Sequence, residues 1–530
     1  MSELPGAERQ RGAPRARAVD GARSPPAQVV VLVPPERMRT WVLRLAEVLE
    51  RQASVPVRLI RAPWPAESSA GLPSEVLEPL LSRGRRAGHA DWASSTALPS
   101  PDEIDWARTL VVNLTERDPH DFPPPLRTGL TLTPIFHGAR RSEALAWPLL
   151  HGEAPHVAVV LSGADRVELL HAARLAAPER FRMRQALDLI FGRTITLIAS
   201  AAAHVLDERP LPKPAPPPRP ARELDALGFW WSLAGVAAPK IARAVSAPFL
   251  RHDWWCVGIR PLRADSSPIE LDLATESFQL LDAGPDRFYA DPFLLRHQGV
   301  TALFVEDYDY RRRKAVISGF TIDAAGRVGK PFTALNAAGH LSYPFVFSVG
   351  GQAFMVPESS ANRTVELYEA VDFPEGWRQR AVLLEDIDAS DTTLHFDVQT
   401  GLWWMFSAVA EPGGSSHDTL SIFYSERLEG PWRPHRANPV KLGPAGSRPA
   451  GPLLPWNGRL FRPAQDCTHA YGEGLVWCEV TSLTPEVFSE RTVARNTPRA
   501  GFAGLHTYGR AAGYEVVDVQ RPRPRLARLS

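Results

Sequence analysis

Three carboxylates in the second half of the chain have the residue type and setting for acid–base chemistry. Asp291 lies in Tyr-Ala-Asp-Pro-Phe, Glu358 lies in Val-Pro-Glu-Ser-Ser, and Asp391 opens Asp-Thr-Thr-Leu. Carboxyl groups held together in a cleft have their pKa values driven apart, which supplies the protonated acid and the ionised base of glycoside hydrolysis. We take Asp291 as the base and Glu358 as the acid, with Asp391 or Arg448 tuning the acid.

Other polar residues in the same half of the chain carry donors and acceptors suited to sugar hydroxyls. The candidate substrate-binding residues are Tyr343, His340, Arg448, Arg462, Gln465, Asp466 and His506. For the three candidate carboxylates the structural alternative is that of an ordinary turn residue, because Asp and Ser beside Pro or Thr at strand starts also bond backbone amides. For Arg462, Gln465 and Asp466 the structural alternative is a buried hydrogen-bond network between blades.

Neither a metal nor a cofactor is predicted. His340 and His506 do not belong to a ligand-spaced pair, and Cys256, Cys467 and Cys478 form neither a CxxC pair nor any other zinc-like spacing.

A repeat of short alternating segments must position these side chains. Residues 255–521 contain five units of about 45 to 60 residues, the length of a four-stranded propeller blade. The inner strands are predicted at residues 289–293, 342–345, 390–393, 447–450 and 504–507. Residues 254–260 would close the ring in the last blade. We therefore predict an all-β five-bladed β-propeller, with a β-sandwich as the alternative.

The first half of the chain alternates strands and helices instead. Strands are predicted at residues 29–33, 55–60, 110–114 and 157–161, and helices at 38–49 and 182–206. This order favours a Rossmann-type α/β domain. Seven prolines within residues 210–220 stiffen a linker between the halves. The predicted organisation is a disordered tail at 1–28, an α/β domain at 29–206, a Pro-rich linker at 207–228 and the propeller at 229–530.

Composition restricts the partners. The 60 Lys and Arg residues nearly balance the 59 Asp and Glu residues, so no nucleic-acid partner is expected. No apolar run suits a secretory signal or an uninterrupted membrane span, which favours a cytoplasmic protein. Residues 229–255 combine paired tryptophans with Lys240, Arg243 and Arg251. That segment is interpreted either as a helix packed under the propeller or as a peripheral membrane contact.

Two resemblances follow from these motifs. Tyr-Ala-Asp-Pro-Phe around Asp291 resembles the five-bladed glycosidases of the arabinanase and invertase type, which implies a base or nucleophile role for Asp291. Their inner acids run Asp, Asp, Glu, whereas the second inner strand here carries Tyr343. The segments starting at His340, Val356, Asp391 and Arg462 are more similar to the N-terminal domain of glucosamine inositolphosphorylceramide transferases and their bacterial relatives.

The first half resembles a formyltransferase fold, as in those bacterial relatives. Formyltransferases carry Asn-x-His-Pro-Ser, and the comparable stretch here is Gly-Leu-Thr-Leu-Thr-Pro at residues 129–134. Without that Asn and His, the resemblance implies an inactive domain.

The resulting functional prediction is a carbohydrate-active, glycoside-hydrolase-like protein. Its partner would be a glycan or a glycolipid precursor in cell-surface polysaccharide metabolism. One alternative is a non-catalytic sugar-binding or scaffold propeller. Another is a propeller that serves as accessory domain of a formyl- or glycosyl-transferase.

Overall fold

The computed structural model describes most of the chain. The described residues are 25–35, 38–64, 104–164, 166–177, 183–218, 226–263, 267–269, 278–410, 414–499 and 501–525. Almost all of the predicted N-terminal tail, and part of the Pro-rich linker, lie outside them.

A six-stranded sheet occupies the first half of the chain. Its strands are β1 Gln28–Val33, β2 Val57–Arg61, β3 Thr109–Asn113, β4 Leu130–Phe136, β5 His156–Ser162 and β6 Val167–Arg174. The helices are α1 Thr40–Gln52, α2 Ala146–His151, α3 Met183–Asp207 and α4 Ala226–Ser246. The strand order is β2-β1-β3-β4-β5-β6, parallel from β2 to β4 and antiparallel beyond.

The predicted strands β1, β2, β3 and β5 and helices α1 and α3 are present, with bounds shifted by a few residues. Strands β4 and β6 were not predicted. The stretch compared with the formyltransferase signature forms the start of β4, where Asn113 donates to the Thr133 hydroxyl over 3.4 Å. The formyltransferase-like interpretation of this half stays a prediction.

Helix α3 packs both on this sheet and on the propeller. Its Arg193 is buried, lies 3.1 Å from the Asp418 carboxylate, and also donates to the Ser415 carbonyl. Asp418 in turn accepts the Ala176 amide at 3.0 Å. Among the described residues, α3 alone is long and apolar enough to cross a membrane by length and composition, and 67% of that apolar window is buried.

Five sheets follow α4 and form the propeller. Blade one has β9 Arg287–His297, β10 Val300–Asp309, β11 Lys314–Ile322 and β12 Phe332–Leu335. Blade two has β13 Ser342–Val349, β14 Gln352–Ser359, β15 Thr364–Asp372 and β16 Gly376–Glu385. Blade three has β17 Ala389–Asp397, β18 Leu402–Val409, β19 Thr419–Ser425, β20 Arg433–Pro434 and β21 Lys441–Leu442. Blade four has β22 Ala445–Pro449, β23 Leu454–Trp456, β24 Arg459–Asp466, β25 Gly474–Leu483 and β26 Phe488–Asn496.

The fifth blade joins the two ends of the propeller. Its order is β27-β28-β7-β8, with β7 Leu250–Pro261, β8 Gln279–Leu281, β27 Tyr508–Ala511 and β28 Tyr514–Pro524. The long β7–β28 ladder confirms the predicted closing strand and protects the sheet edges. The five-bladed propeller is thereby confirmed.

The predicted inner strand of the last blade at residues 504–507 is wrong, because β27 begins only at Tyr508. The amides of His506 and Thr507 bond to the Asp518 carboxylate instead of to a strand partner.

Candidate functional site

Three inner strands carry the same backbone feature at the same place. Asp291, Tyr343 and Asp391 have φ values of 49°, 44° and 52°, a left-handed conformation that non-glycine residues rarely adopt. Each lies at the register shift between its inner strand and the second strand of its blade. The three positions are therefore equivalent in the three blades.

Blade four departs from this pattern. Its left-handed residue after the first pair is Gly446, at φ 88°, and its register shift is longer by one residue. Arg448 is therefore not the equivalent of Asp291. Arg448 nevertheless reaches the same end of the propeller through its long side chain.

Carboxylates of one blade accept hydrogen bonds from the backbone amides of the left-handed residues in the next blade. Asp518 accepts the Asp291 amide at 2.9 Å, Asp291 accepts the Tyr343 amide at 3.1 Å, and Glu358 accepts the Asp391 amide at 3.1 Å. A left-handed bulge takes its amide out of the strand ladder, and a buried amide needs a partner. These acids therefore link neighbouring blades as well as forming the candidate site.

Asp291 belongs to a buried acid–imidazole cluster. Its Oδ1 accepts the Thr507 hydroxyl at 2.9 Å and lies 3.8 Å from His506 Nε2, while His506 Nδ1 lies 2.6 Å from Asp518. Asp291 is only 5% exposed and His506 only 2%. Burial raises the pKa of Asp291 to about 7, against the opposing charge of His506. Burial alone would lower the pKa of His506, but the charges of Asp518 and Asp291 raise it to about 9.

The same three side chains offer ligand atoms within 4.8 Å of one another, so a cation would fit among Asp291, His506 and Asp518. A histidine ligates only as neutral imidazole. Because the pKa of His506 is raised, its imidazolium supplies the compensating positive charge itself. The arrangement therefore favours an internal ion pair.

Asp391 is paired with an arginine instead. Its Oδ2 accepts from Arg448 Nε at 2.6 Å and from Gln465 Nε2 at 2.7 Å, and its Oδ1 accepts from Arg448 Nη2 at 3.1 Å. Burial raises the pKa of the Asp391 carboxyl well above its ordinary value, and the charge and hydrogen bonds of Arg448 oppose that shift. Burial alone would lower the pKa of Arg448, but the charge of Asp391 raises it well above its ordinary value. Arg448 Nη2 also lies 3.7 Å from a carboxylate oxygen of Glu358.

Glu358 and Glu306 occupy equivalent positions on the second strands of two blades. Glu306 pairs with Ala290 and Glu358 with Ser342, each directly before a left-handed residue. Glu306 lies 3.2 Å from His340 Nε2, whose Nδ1 accepts the Ala315 amide. His340 is the most exposed of these candidate site residues, with 40% of its side chain accessible to solvent. Burial lowers its pKa, but the hydrogen bond and charge of Glu306 outweigh this and raise it.

Tyr471, in the loop between β24 and β25, covers part of this end of the propeller. Its ring contacts His506 at 5.3 Å and His417 at 5.2 Å between centroids, and the Arg448 guanidinium lies 5.2 Å from it. Trp255 stacks on His506 at 4.0 Å. Burial raises the pKa of the Tyr471 phenol well above its ordinary value. An aromatic side chain in this place could stack on a sugar ring.

Four residues predicted to bind sugar instead bond to other residues of the protein, and two of them are Tyr343 and Gln465. Tyr343 is fully buried, and its hydroxyl accepts the Gly451 amide at 2.6 Å and contacts the Thr393 hydroxyl at 2.8 Å. Gln465 is likewise fully buried, with its amide on Asp391 and on the Pro449 carbonyl. Neither side chain is presented to a ligand.

Arg462 lies apart from the axial group, in a buried ion pair with Glu490 at 2.7 Å. Asp466 pairs with Arg495 at 2.5 Å and accepts the Thr468 amide. For these residues the structural alternative describes the contacts better than sugar binding does.

The sequence reasoning missed Glu306, Tyr471 and Asp518. A signal existed for Glu306, because Glu306, Glu358 and Asp466 all pair with a residue that directly precedes a left-handed one. No sequence signal existed for the other two, because the position of Asp518 depends on closure of the ring and that of Tyr471 on a loop.

Comparisons with known proteins concern the propeller. Residues 267–519 match the family model described as glucosamine inositolphosphorylceramide transferase 1, N-terminal. The proteins of that name from Oryza sativa subsp. japonica and Arabidopsis thaliana are each 32% identical over 216 residues, or 39% of this chain. The matches cover 28% and 27% of the two relatives, so the chain spans less than a third of their length. The predicted resemblance of the propeller is confirmed.

Solved structures of glycoside hydrolases are also similar. The GH43_1 enzyme from Xanthomonas citri, solved with xylose, is 12% identical with a TM-score of 0.33, over 46% of this chain and 88% of that one. A family 117 glycoside hydrolase from Zobellia galactanivorans is 10% identical with a TM-score of 0.33, over 51% of this chain and 91% of that one. Similarity this low carries no information about chemistry.

Proposed function

We propose that the protein acts on the sugar part of a glycan or glycolipid precursor, and that the axial end of the propeller is the site. The observation that carries this proposal is the gathering of Asp291, Glu358 and Asp391 from three blades beside Arg448 and His340. Carboxylates in unlike surroundings are what glycosidic bond chemistry requires.

Asp291 is the general base in this proposal. Its pKa of about 7 lies near ordinary working pH, where a base is both ionised and basic enough to take a proton. Glu358 is the acid, since 12% of its side chain is exposed and one of its oxygens bonds only the Ser360 hydroxyl among the described contacts. Asp391 and Arg448 act as positioning residues for Glu358.

The substrate class comes from the relatives. They are named for a transferase whose name joins glucosamine to an inositol-phosphorylated ceramide. We propose that the sugar handled here is also attached to a lipid or a phosphorylated carrier. The α/β half would then support the propeller without formyl transfer, because residues 129–134 lack the Asn and His of the signature.

Asp291→Asn tests the chemistry without removing the blade link. An asparagine can accept the Tyr343 amide with its oxygen and donate to the Thr507 hydroxyl with its nitrogen, so both contacts remain and only the Thr507 bond has donor and acceptor exchanged. We expect glycoside turnover, measured on a panel of aryl glycosides and glycolipids, to fall by about 10² to 10⁴-fold. Asp386→Asn, at an exposed carboxylate, is the matched control. Turnover in Asp291→Asn equal to that of the wild type contradicts the proposal.

A non-catalytic sugar-binding propeller is the second candidate. It is favoured by the low exposure of Asp291 and by the use of both Asp391 oxygens within the protein. Here a glycan array would show binding by the wild type with no hydrolysis, and Asp291→Asn would bind equally well. Binding that depends on Tyr471 and His340 would locate the ligand at the same end of the propeller.

A further inference from the structure

Helix α4 presents an exposed apolar stripe. Trp231, Ala234, Ala238, Ile241 and Val245 follow one another at alternating spacings of three and four residues, so they share one helix face. All five are exposed, with Trp231 at 73%, Ile241 at 62% and Val245 at 68%. The stripe spans about 21 Å along the helix axis. A helix that packed under the propeller would bury such a face.

The charged residues of the segment that carries this apolar stripe have one sign. Residues 226–252 contain no Asp or Glu, whereas Lys240 and Arg243 belong to the helix. The exposed Phe249 follows the helix, and its carbonyl accepts the amide of Arg525, an exposed residue just after β28. Exposed cations therefore lie near the end of the stripe, at Arg243 and Arg525.

Two side-chain contacts link the helix to neighbouring elements. The Ser232 hydroxyl lies 3.2 Å from His151 of α2, and the Ser246 hydroxyl lies 2.7 Å from His252 of β7. The apolar stripe is thus presented by an ordered helix between the two halves of the protein.

We propose that the apolar stripe of α4 docks on the surface of an anionic lipid bilayer. Indole and aliphatic side chains enter the boundary between headgroups and acyl chains, while neighbouring arginines pair with anionic headgroups. Charge decides against a second copy of the chain as the occupant. Two such stripes packed together would bring like charges close, with no acidic residue of the helix to compensate them. Docking at a membrane would also hold the protein near a lipid-linked sugar.

Vesicle co-sedimentation of the full chain tests the apolar part of this surface. We expect binding to vesicles containing phosphatidylglycerol, and binding at least about tenfold weaker for the double variant Trp231→Ser, Ile241→Ser. The matched control is Val398→Ser, Val487→Ser, which removes two exposed valines of the propeller and should bind like the wild type.

A separate variant tests the contribution of the positively charged residues beside the apolar stripe. Arg243→Glu should weaken binding to phosphatidylglycerol vesicles, and raised salt should do the same, whereas Arg312→Glu at an exposed propeller position should not. Vesicles of phosphatidylcholine alone should bind less well than anionic ones.

Three results overturn the membrane proposal. One is no sedimentation with anionic vesicles, and another is undiminished binding by the Trp231→Ser, Ile241→Ser variant. The third is self-association of the wild type that this variant abolishes, without any vesicle binding, which would assign the stripe to a second copy. Asp291→Asn should bind vesicles like the wild type, so failure of the axial chemistry and failure of membrane docking are distinguishable.

Discussion

The axial site has an arginine half, around Asp391 and Arg448, and a histidine half, around Asp291 and His506. The two halves use the same backbone position in different chemical surroundings. Asp291 and Asp391 are both left-handed, both buried and both at a register shift. Asp391 is compensated by a bidentate arginine, which keeps its proton at any ordinary pH. Asp291 faces His506, which can lose its proton. A repeated fold position therefore gives one carboxylate a permanent counter-charge and the other a titrating one.

The arginine half should be the more sensitive to loss of its cation. Arg448→Met leaves Asp391 buried without a charged partner, and we expect a loss of about 3–5 kcal/mol in the free energy of unfolding, measured with denaturant. Arg363→Met is the control, because Arg363 bonds Asp386 with two nitrogens at an exposed site and should lose at most about 1 kcal/mol. Equal losses in the two variants would mean that the buried Asp391–Arg448 pair contributes no more to stability than an exposed ion pair does.

The histidine half should depend on pH. The pKa of His506 is raised from 6.5 to about 9, so its stabilising effect is fully present below pH 6.5 and is lost as pH rises through 9. We expect His506→Gln to be less stable than the wild type by about 2–3 kcal/mol at pH 6, and the gap to shrink by pH 10. Thermal unfolding across this range measures it. A gap that grows with pH would contradict the assignment of a protonated His506.

Tyr343 lies between the two halves and should show a smaller effect. Tyr343→Phe leaves the Gly451 amide buried without its acceptor, which should cost about 1–3 kcal/mol of unfolding free energy. Tyr424→Phe is the matched control on β19, where we expect a change within about 0.5 kcal/mol. If both substitutions were neutral, the Tyr343 hydroxyl would not link blade two to blade four.

Sequence reasoning found the parts of this site that local patterns encode. Asp291, Tyr343 and Asp391 were found because each lies in a short segment predicted as an inner strand, and 254–260 because the ring needed a closing strand. Local patterns could not show that Asp518 would meet Asp291, 227 residues away, since that contact exists only once β7 and β28 pair.

The errors have the same origin. Residues 504–507 resemble an inner strand, but the Asp518 side chain takes amides that a strand partner would otherwise bond. Arg462 looked like a sugar ligand because Glu490, its actual partner, comes from a strand 28 residues later. Strand β4 in the first half was also missed. It contains Pro134, and proline argues against a central strand. The strand tolerates it because Pro134 pairs only with β5 and lies beyond the last β3 pair, at Leu132.

The titration of Asp291 tests the central comparison most directly. Selective ¹³C labelling of aspartate carboxyls, followed by NMR from pH 4 to pH 10, would compare the wild type with Asp291→Asn. We predict a wild-type carboxyl resonance that titrates near pH 7 and is missing from the Asp291→Asn spectrum. If no aspartate titrates near neutrality, or if that resonance persists in Asp291→Asn, then Asp291 is not the titrating base of the axial site.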